Sequence, residues 1–165
     1  MNENPILEPV DLEGKYLTFN LMGEQYGVNV DWILQIIAIP GITKIPKTPV
    51  FVKGVINLRG KIIPVMDLRL KFKLPEQEYN ERTSIVIIRV NCEHSEVFIG
   101  IIVDKVIEVL DIEMPDIEKT PSFGVDIQTE FIIGMAKVKQ KVVTLLNITK
   151  ILQEIDLSKI NQEGE

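Results

Sequence analysis

Apolar and polar positions alternate along much of the chain, and the alternation defines most of its elements. Residues 1–14 read as a flexible leader. Tyr16-Leu17-Thr18-Phe19-Asn20-Leu21 then alternates, Met22-Gly23-Glu24-Gln25 supplies a turn, and Tyr26-Gly27-Val28-Asn29-Val30 returns, so 16–30 predicts a hairpin. Asp31 can cap a short helix through Ile37, which Pro40 and Gly41 stop. Residues 42–49 carry prolines and predict an extended or edge segment. The run from Gly54 to Met66 has two apolar arms around Arg59-Gly60, a hairpin signal because Gly takes φ > 0. A helical turn follows over Asp67–Phe72, then the polar linker PEQEYNERT at 75–83. Beyond it the pattern predicts strands at 84–91 and 97–103, a helix or strand at 104–110, a Pro-marked loop at 111–124 and a hairpin over 133–146. Ile148, Ile151, Leu152 and Ile155 mark one apolar face of a C-terminal helix over 148–160.

The pattern repeats. Residues 26–37 align with 99–110 at an offset of 73, with Gly27 on Gly100 and Asp31 on Asp104. Residues 54–68 align with 134–148 at an offset of 80, with Gly54 on Gly134, Arg59 on Lys139, Lys61 on Lys141 and Asp67 on Asn147. The element order is the same in both halves. Two similar small β units follow, a first barrel over 15–74 and a second over 84–147, joined by the 75–83 linker. Each has about five short strands, enough for a small barrel.

Composition sharpens the fold class to mainly β. The 165 residues include 26 Ile, 17 Val and 8 Thr against 2 Ala, and β-branched side chains suit pleated surfaces. With 45% hydrophobic and 25% charged residues, the chain is no disordered segment. Its net charge of −6 opposes a general nucleic-acid partner, which needs a basic face. One Cys forbids an internal disulfide and suits a reducing cytoplasm. No apolar run approaches the ~20 residues of a membrane span, and the start lacks the features of a signal peptide. A cytoplasmic protein without membrane insertion is expected.

Catalytic chemistry is sparse. His94, the only histidine, sits with Cys92 in a turn-like stretch and reads as a solvated turn rather than a metal ligand. No nucleophile elbow and no phosphate-cradling loop is present, so no catalytic residue, metal or cofactor is expected. Arg59, at a hairpin tip between apolar arms, reads either as a solvated turn charge or as a recognition residue, since Arg is enriched at interface hot spots. Trp32 reads more readily as core filler than as an exposed anchor.

The segments Gly23-Glu24-Gln25-Tyr26-Gly27-Val28, Gly54-Val55-Ile56-Asn57-Leu58-Arg59-Gly60 and Ile63-Pro64-Val65-Met66-Asp67-Leu68-Arg69 resemble the CheW family of bacterial chemotaxis coupling proteins. So do Gly100-Ile101-Ile102-Val103-Asp104-Lys105-Val106 and Gly134-Met135-Ala136-Lys137, and the resemblance spans about 16–155. It implies two five-stranded SH3-like barrels and a non-enzymatic adaptor that joins the histidine kinase CheA to the cytoplasmic tips of chemoreceptors. It further implies pairing with the kinase's double-barrel regulatory domain, extension of such contacts into rings, and an apolar groove for the receptor's helical hairpin. On this sequence the groove falls to Leu17, Val30, Ile33, Gln35, Ile36, Ile101 and Val103, with Asn57 and Arg59 at its rim. No kinase-binding residue is singled out. Family members often have an acid at position 35 to pair with the hairpin Arg; Gln35 is neutral, and only a hydrogen bond to Arg59 remains open. The runner-up function is a small-barrel nucleic-acid binder, opposed by the acidic charge and 6% aromatic content.

Overall fold

Eleven β-strands and two short helices account for nearly all the regular structure in the computed structural model, which describes residues 12–92, 95–118 and 129–153. The strands are β1 (Gly14–Leu21), β2 (Glu24–Asn29), β3 (Ile33–Ala38), β4 (Val52–Leu58), β5 (Lys61–Asp67), β6 (Ser84–Cys92), β7 (Ser95–Val103), β8 (Lys105–Ile112), β9 (Ile117–Glu118), β10 (Ile132–Val138) and β11 (Lys141–Leu146). The helices are α1 (Leu68–Lys71) and α2 (Ile148–Gln153). The fold is mainly β, as the β-branched composition requires.

The strands form two sheets in two compact units. Among the described residues the first unit comprises 12–31, 107–118 and 129–153, and its sheet runs β8-β1-β2-β11-β10-β9. The second comprises Trp32–Val106 among the described residues, with sheet order β3-β6-β7-β5-β4. Discounting the two-residue β9, each is a five-stranded SH3-like unit.

The duplication extends to hydrogen-bond register. In the β4–β5 hairpin, Val52 faces Met66 and Gly54 faces Val65, with a one-residue shift between them; in β10–β11, Ile132 faces Leu146 and Gly134 faces Leu145, with the same shift. The parallel pairings also correspond: Val65 with Gly100, and Leu145 with Gly27. Both glycines admit a close strand. A Cβ on Gly100 would lie 2.7 Å from an Ile85 methyl, and one on Gly27 would lie 3.2 Å from a Val143 methyl.

The units are not the sequential halves 15–74 and 84–147. The leading hairpin β1–β2 belongs with β8, β10 and β11, whereas β6–β7 belongs with β3, β4 and β5. The repeats have exchanged their first hairpins. Hydrophobic alternation specifies which face of a strand is buried but not which partner it joins, so this exchange is invisible in the pattern.

Three further expectations change. The segment after Asp31 is a short 3-10 turn, Val30–Trp32, followed by strand β3 rather than a helix through Ile37. Asp31 does not act as the cap; Asn29 Oδ1 instead accepts from the Asp31 N–H at 2.9 Å. Residues 75–83 are no free linker. They lie within the second unit, where the Tyr79 hydroxyl donates to Asp67 at 2.8 Å and Thr83 is buried. The ambiguous 104–110 segment is strand β8. The helical turn after Asp67 forms as expected, its N-terminus capped by the Asp67 carboxylate accepting from Arg69 N–H at 2.9 Å. Most of the 1–14 leader, His94, much of the 111–124 loop and the end of the 148–160 helix lie outside the described residues.

Each unit has its own core. In the second, Ile56, Ile63, Val65, Ile85, Ile87 and Ile102 pack together. In the first, Tyr16, Leu110, Ile112, Ala136, Val143 and Leu145 do so, with the Tyr16 hydroxyl donating to Leu12 O at 2.6 Å. At about 1.5–3 kcal/mol per buried Ile, Leu or Val side chain, these clusters dominate the stability of each unit.

Candidate functional site

Sequence dictates the β4–β5 hairpin tip closely. Leu58 and Lys61 are the last paired residues, leaving Arg59 and Gly60 as a two-residue loop with φ values of 54° and 85°. Two positive φ values give the turn whose twist matches its strands. The Asn57 side chain closes it, Oδ1 accepting from Gly60 N–H at 2.9 Å. Asn57 and Arg59 are exposed, so the turn fixes the Arg59 backbone while its side chain faces solvent. Beside the tip, the Lys61 ammonium lies 4.6 Å from the centre of the Phe98 ring.

Strand β3 presents the other exposed part of the second unit. Its register shifts between Ile33 and Gln35, so Leu34 is an extra residue and the strand's two faces change places there. Ile36 stands opposite Val86 and is 42% exposed; Leu34 is 40% exposed. Gln35 stands opposite Ile87, which belongs to the core, and is half-buried. No hydrogen bond joins Gln35 to Arg59 among the described residues.

The nine residues expected to line a groove divide by unit and by burial. Leu17 and Val30 belong to the first unit; Ile33, Gln35, Ile36, Asn57, Arg59, Ile101 and Val103 belong to the second. Leu17, Ile101 and Val103 are buried and present no surface to a ligand, which corrects their placement as lining residues. Residues 16–19 of β1 and 99–103 of β7 are buried without interruption, so both faces of these stretches are covered. Val30, Ile33 and Gln35 are half-buried, and Ile36, Asn57 and Arg59 are exposed. Within the second unit, Ile36, Val86 and Ile101 are cross-strand partners in one row, of which only Ile36 reaches solvent.

Sequence reasoning missed Leu34, Ile62 and Val50, which are 40%, 47% and 77% exposed. The duplication held a usable signal. Ile36 aligns with Val109 and Ile62 with Val142, and all four side chains are exposed apolar groups. No group of three His, Cys, Asp or Glu side chains suited to a metal occurs among the described residues. No helix there is long and apolar enough to cross a membrane.

The CheW-like domain model matches residues 15–156. The chain belongs to the CheW-like family. It is 32% identical over 147 residues to the chemotaxis protein CheW of Klebsiella aerogenes, covering 89% of this chain and 86% of that one. It is 33% identical to the CheW of Thermotoga maritima, covering 89% and 93%. The crystal structure of the scaffolding protein TtCheW from Thermoanaerobacter tengcongensis superposes with a TM-score of 0.76 at 34% identity, covering 86% of this chain and 94% of that one. The nucleic-acid alternative finds no support in these relatives. Against the CheW-like pattern, the Gly-Val-Ile-Asn-Leu-Arg-Gly signature is the β4–β5 hairpin with its positive-φ tip, and Asp67-Leu68-Arg69 is the capped start of α1.

Proposed function

We propose that this chain is a non-catalytic scaffold of chemotaxis signalling, coupling the cytoplasmic tips of chemoreceptors to the histidine kinase CheA. The carrying observation is the CheW-like match across residues 15–156. The protein acts at receptor arrays in the cytoplasm, by contact alone.

Ile33, Gln35, Ile36, Asn57 and Arg59 of the second unit form the receptor contact. Ile33 and Ile36 supply apolar anchors, and the rigid turn offers Arg59 as the polar group that sets register. A few buried aliphatic side chains, at about 1.5–3 kcal/mol each, suffice for micromolar affinity near −8 kcal/mol once association costs are met. The matched exposed residues Ile36 and Val109, and Ile62 and Val142, give the two units similar contact surfaces. Such a pair suits a kinase domain itself built from similar barrels, and contacts of this kind can continue into rings. Modest single affinities then add through multivalency.

Co-sedimentation tests the proposal. The full chain, mixed at micromolar concentration with CheA and a receptor signalling fragment, should pellet in a three-component complex. Absence of the chain from that complex at saturating concentration would refute the role.

A further inference from the structure

Among the described residues the chain passes from the first unit to the second between Asp31 and Trp32, and returns between Val106 and Ile107. The two passages are counterparts in the repeat, with Asp31 aligned on Asp104. We infer that they are held unequally: Arg69 pins the return passage to the second unit through Asp104, while the outward passage has no such anchor.

The geometry at Asp104 is bidentate. Arg69 Nε donates to Asp104 Oδ1 at 2.7 Å, and an Arg69 terminal nitrogen donates to Oδ2 at 2.6 Å. The Arg69 side chain is only 10% exposed, so the fork is poorly screened and strongly directional. The Asp104 carboxylate raises the guanidinium pKa, chiefly by this hydrogen bond, and the charge is permanent.

Arg69 is itself immobilised. It also donates to Pro75 O at 3.1 Å and to the Gln77 side-chain oxygen. Its own N–H donates to Asp67, whose other oxygen accepts from Tyr79. The anchor therefore ties the end of β7 and the start of β8 to α1 and to residues 75–79.

The counterpart of Arg69 in the duplicate is Thr149, too short to form such a fork. Asp31 is exposed, and its N–H donates to Asn29 Oδ1 at 2.9 Å. The duplication thus kept the aspartate at both passages and the arginine at one. The Asp104 end of the return passage is thus tied to α1 and the 75–79 segment by side-chain bonds, whereas on the outward side the next tie is the ladder pair of Ile33 with Ile88.

This inference is independent of the scaffold reading, and hydrogen exchange on the full chain tests it. In the unsubstituted protein, amides at 104–107 should exchange at least tenfold more slowly than those at 30–33. Arg69→Lys keeps the charge but loses the fork, and should speed exchange at 103–107 and 75–80 at least tenfold with less than a twofold change at 30–33. Asp104→Asn, a milder change less prone to unfold the chain, should give the same pattern at smaller amplitude. Equal protection at both passages, unchanged exchange at 103–107 in both variants, or an even rise throughout the chain would each overturn the inference.

Discussion

Replacing Gly54 with Ala should be among the most damaging single-methyl additions to this protein. Gly54 has φ of 141°, a conformation that L side chains rarely adopt. A Cβ there would lie 2.0 Å from Thr43 O and 2.7 Å from Thr43 C, both backbone atoms. Thr43 is bridged to Val55 by two backbone hydrogen bonds, Thr43 N–H to Val55 O at 2.9 Å and Val55 N–H to Thr43 O at 2.8 Å. The methyl group therefore requires the bridge to open. Two lost hydrogen bonds cost about 0.5–1.5 kcal/mol each. Residual backbone strain adds roughly 1–3 kcal/mol. The reduced entropy of the unfolded chain offsets about 0.4–1 kcal/mol. The net loss is about 2–4 kcal/mol, or a fall of roughly 5–15 °C in Tm for a chain of this size. The internal control is Gly134→Ala at the duplicate position. There the nearest atom is an Ile117 side-chain methyl at 3.0 Å, which can give way, so the cost should be the smaller. Urea denaturation of both variants, with unchanged slopes, provides the assay. A Gly54→Ala loss under about 0.5 kcal/mol, or a larger loss at Gly134, would show that the Thr43–Val55 bridge does not exclude a Cβ at Gly54.

Arg59→Glu alters an exposed turn residue outside the core, so thermal unfolding should shift by no more than about 0.5 kcal/mol while binding to the receptor fragment weakens; a large stability loss would make Arg59 structural. Gly60→Ala meets nothing within 4 Å, yet φ of 85° should cost about 1–2 kcal/mol by urea titration. Tyr79 has its pKa raised, first by burial and then by its hydrogen bond to Asp67; Tyr16 and Tyr26 are raised too, first by burial. A raised phenol pKa favours the neutral form in the fold, so this stabilisation is complete below the unfolded value near 10 and is lost as pH climbs beyond it. Denaturation midpoints should therefore fall above about pH 10, and less steeply in Tyr79→Phe than in the parent chain.

Local chemistry made several features readable in advance. Arg59-Gly60 between apolar arms announced a hairpin, and the structure forms it with both central residues at positive φ. The equivalent tip Lys139-Gln140 adopts φ of 55° and 67° with no glycine to announce it; the aligned repeat supplied that hairpin instead. Strand β3 was misread because its bulge at Leu34 places Ile33 and Ile36 on one face. That spacing of three imitates a helix. The buried status of Leu17, Ile101 and Val103 was hidden because runs of consecutive apolar residues do not reveal that both faces of a strand are covered. The Arg69–Asp104 pair joins residues 35 positions apart, and no local pattern links them. The exchange of leading hairpins belongs to the same class, since pairing between distant strands leaves no mark on either one alone.

The proposed scaffold role is that this protein alters a kinase's output by holding the kinase to a receptor. CheA autophosphorylation measures that most directly, with a receptor signalling fragment present and this chain titrated in. A saturable rise in the rate, requiring all three components and diminished by Arg59→Glu, is expected. A rate unchanged at saturating concentrations of the chain would contradict that role.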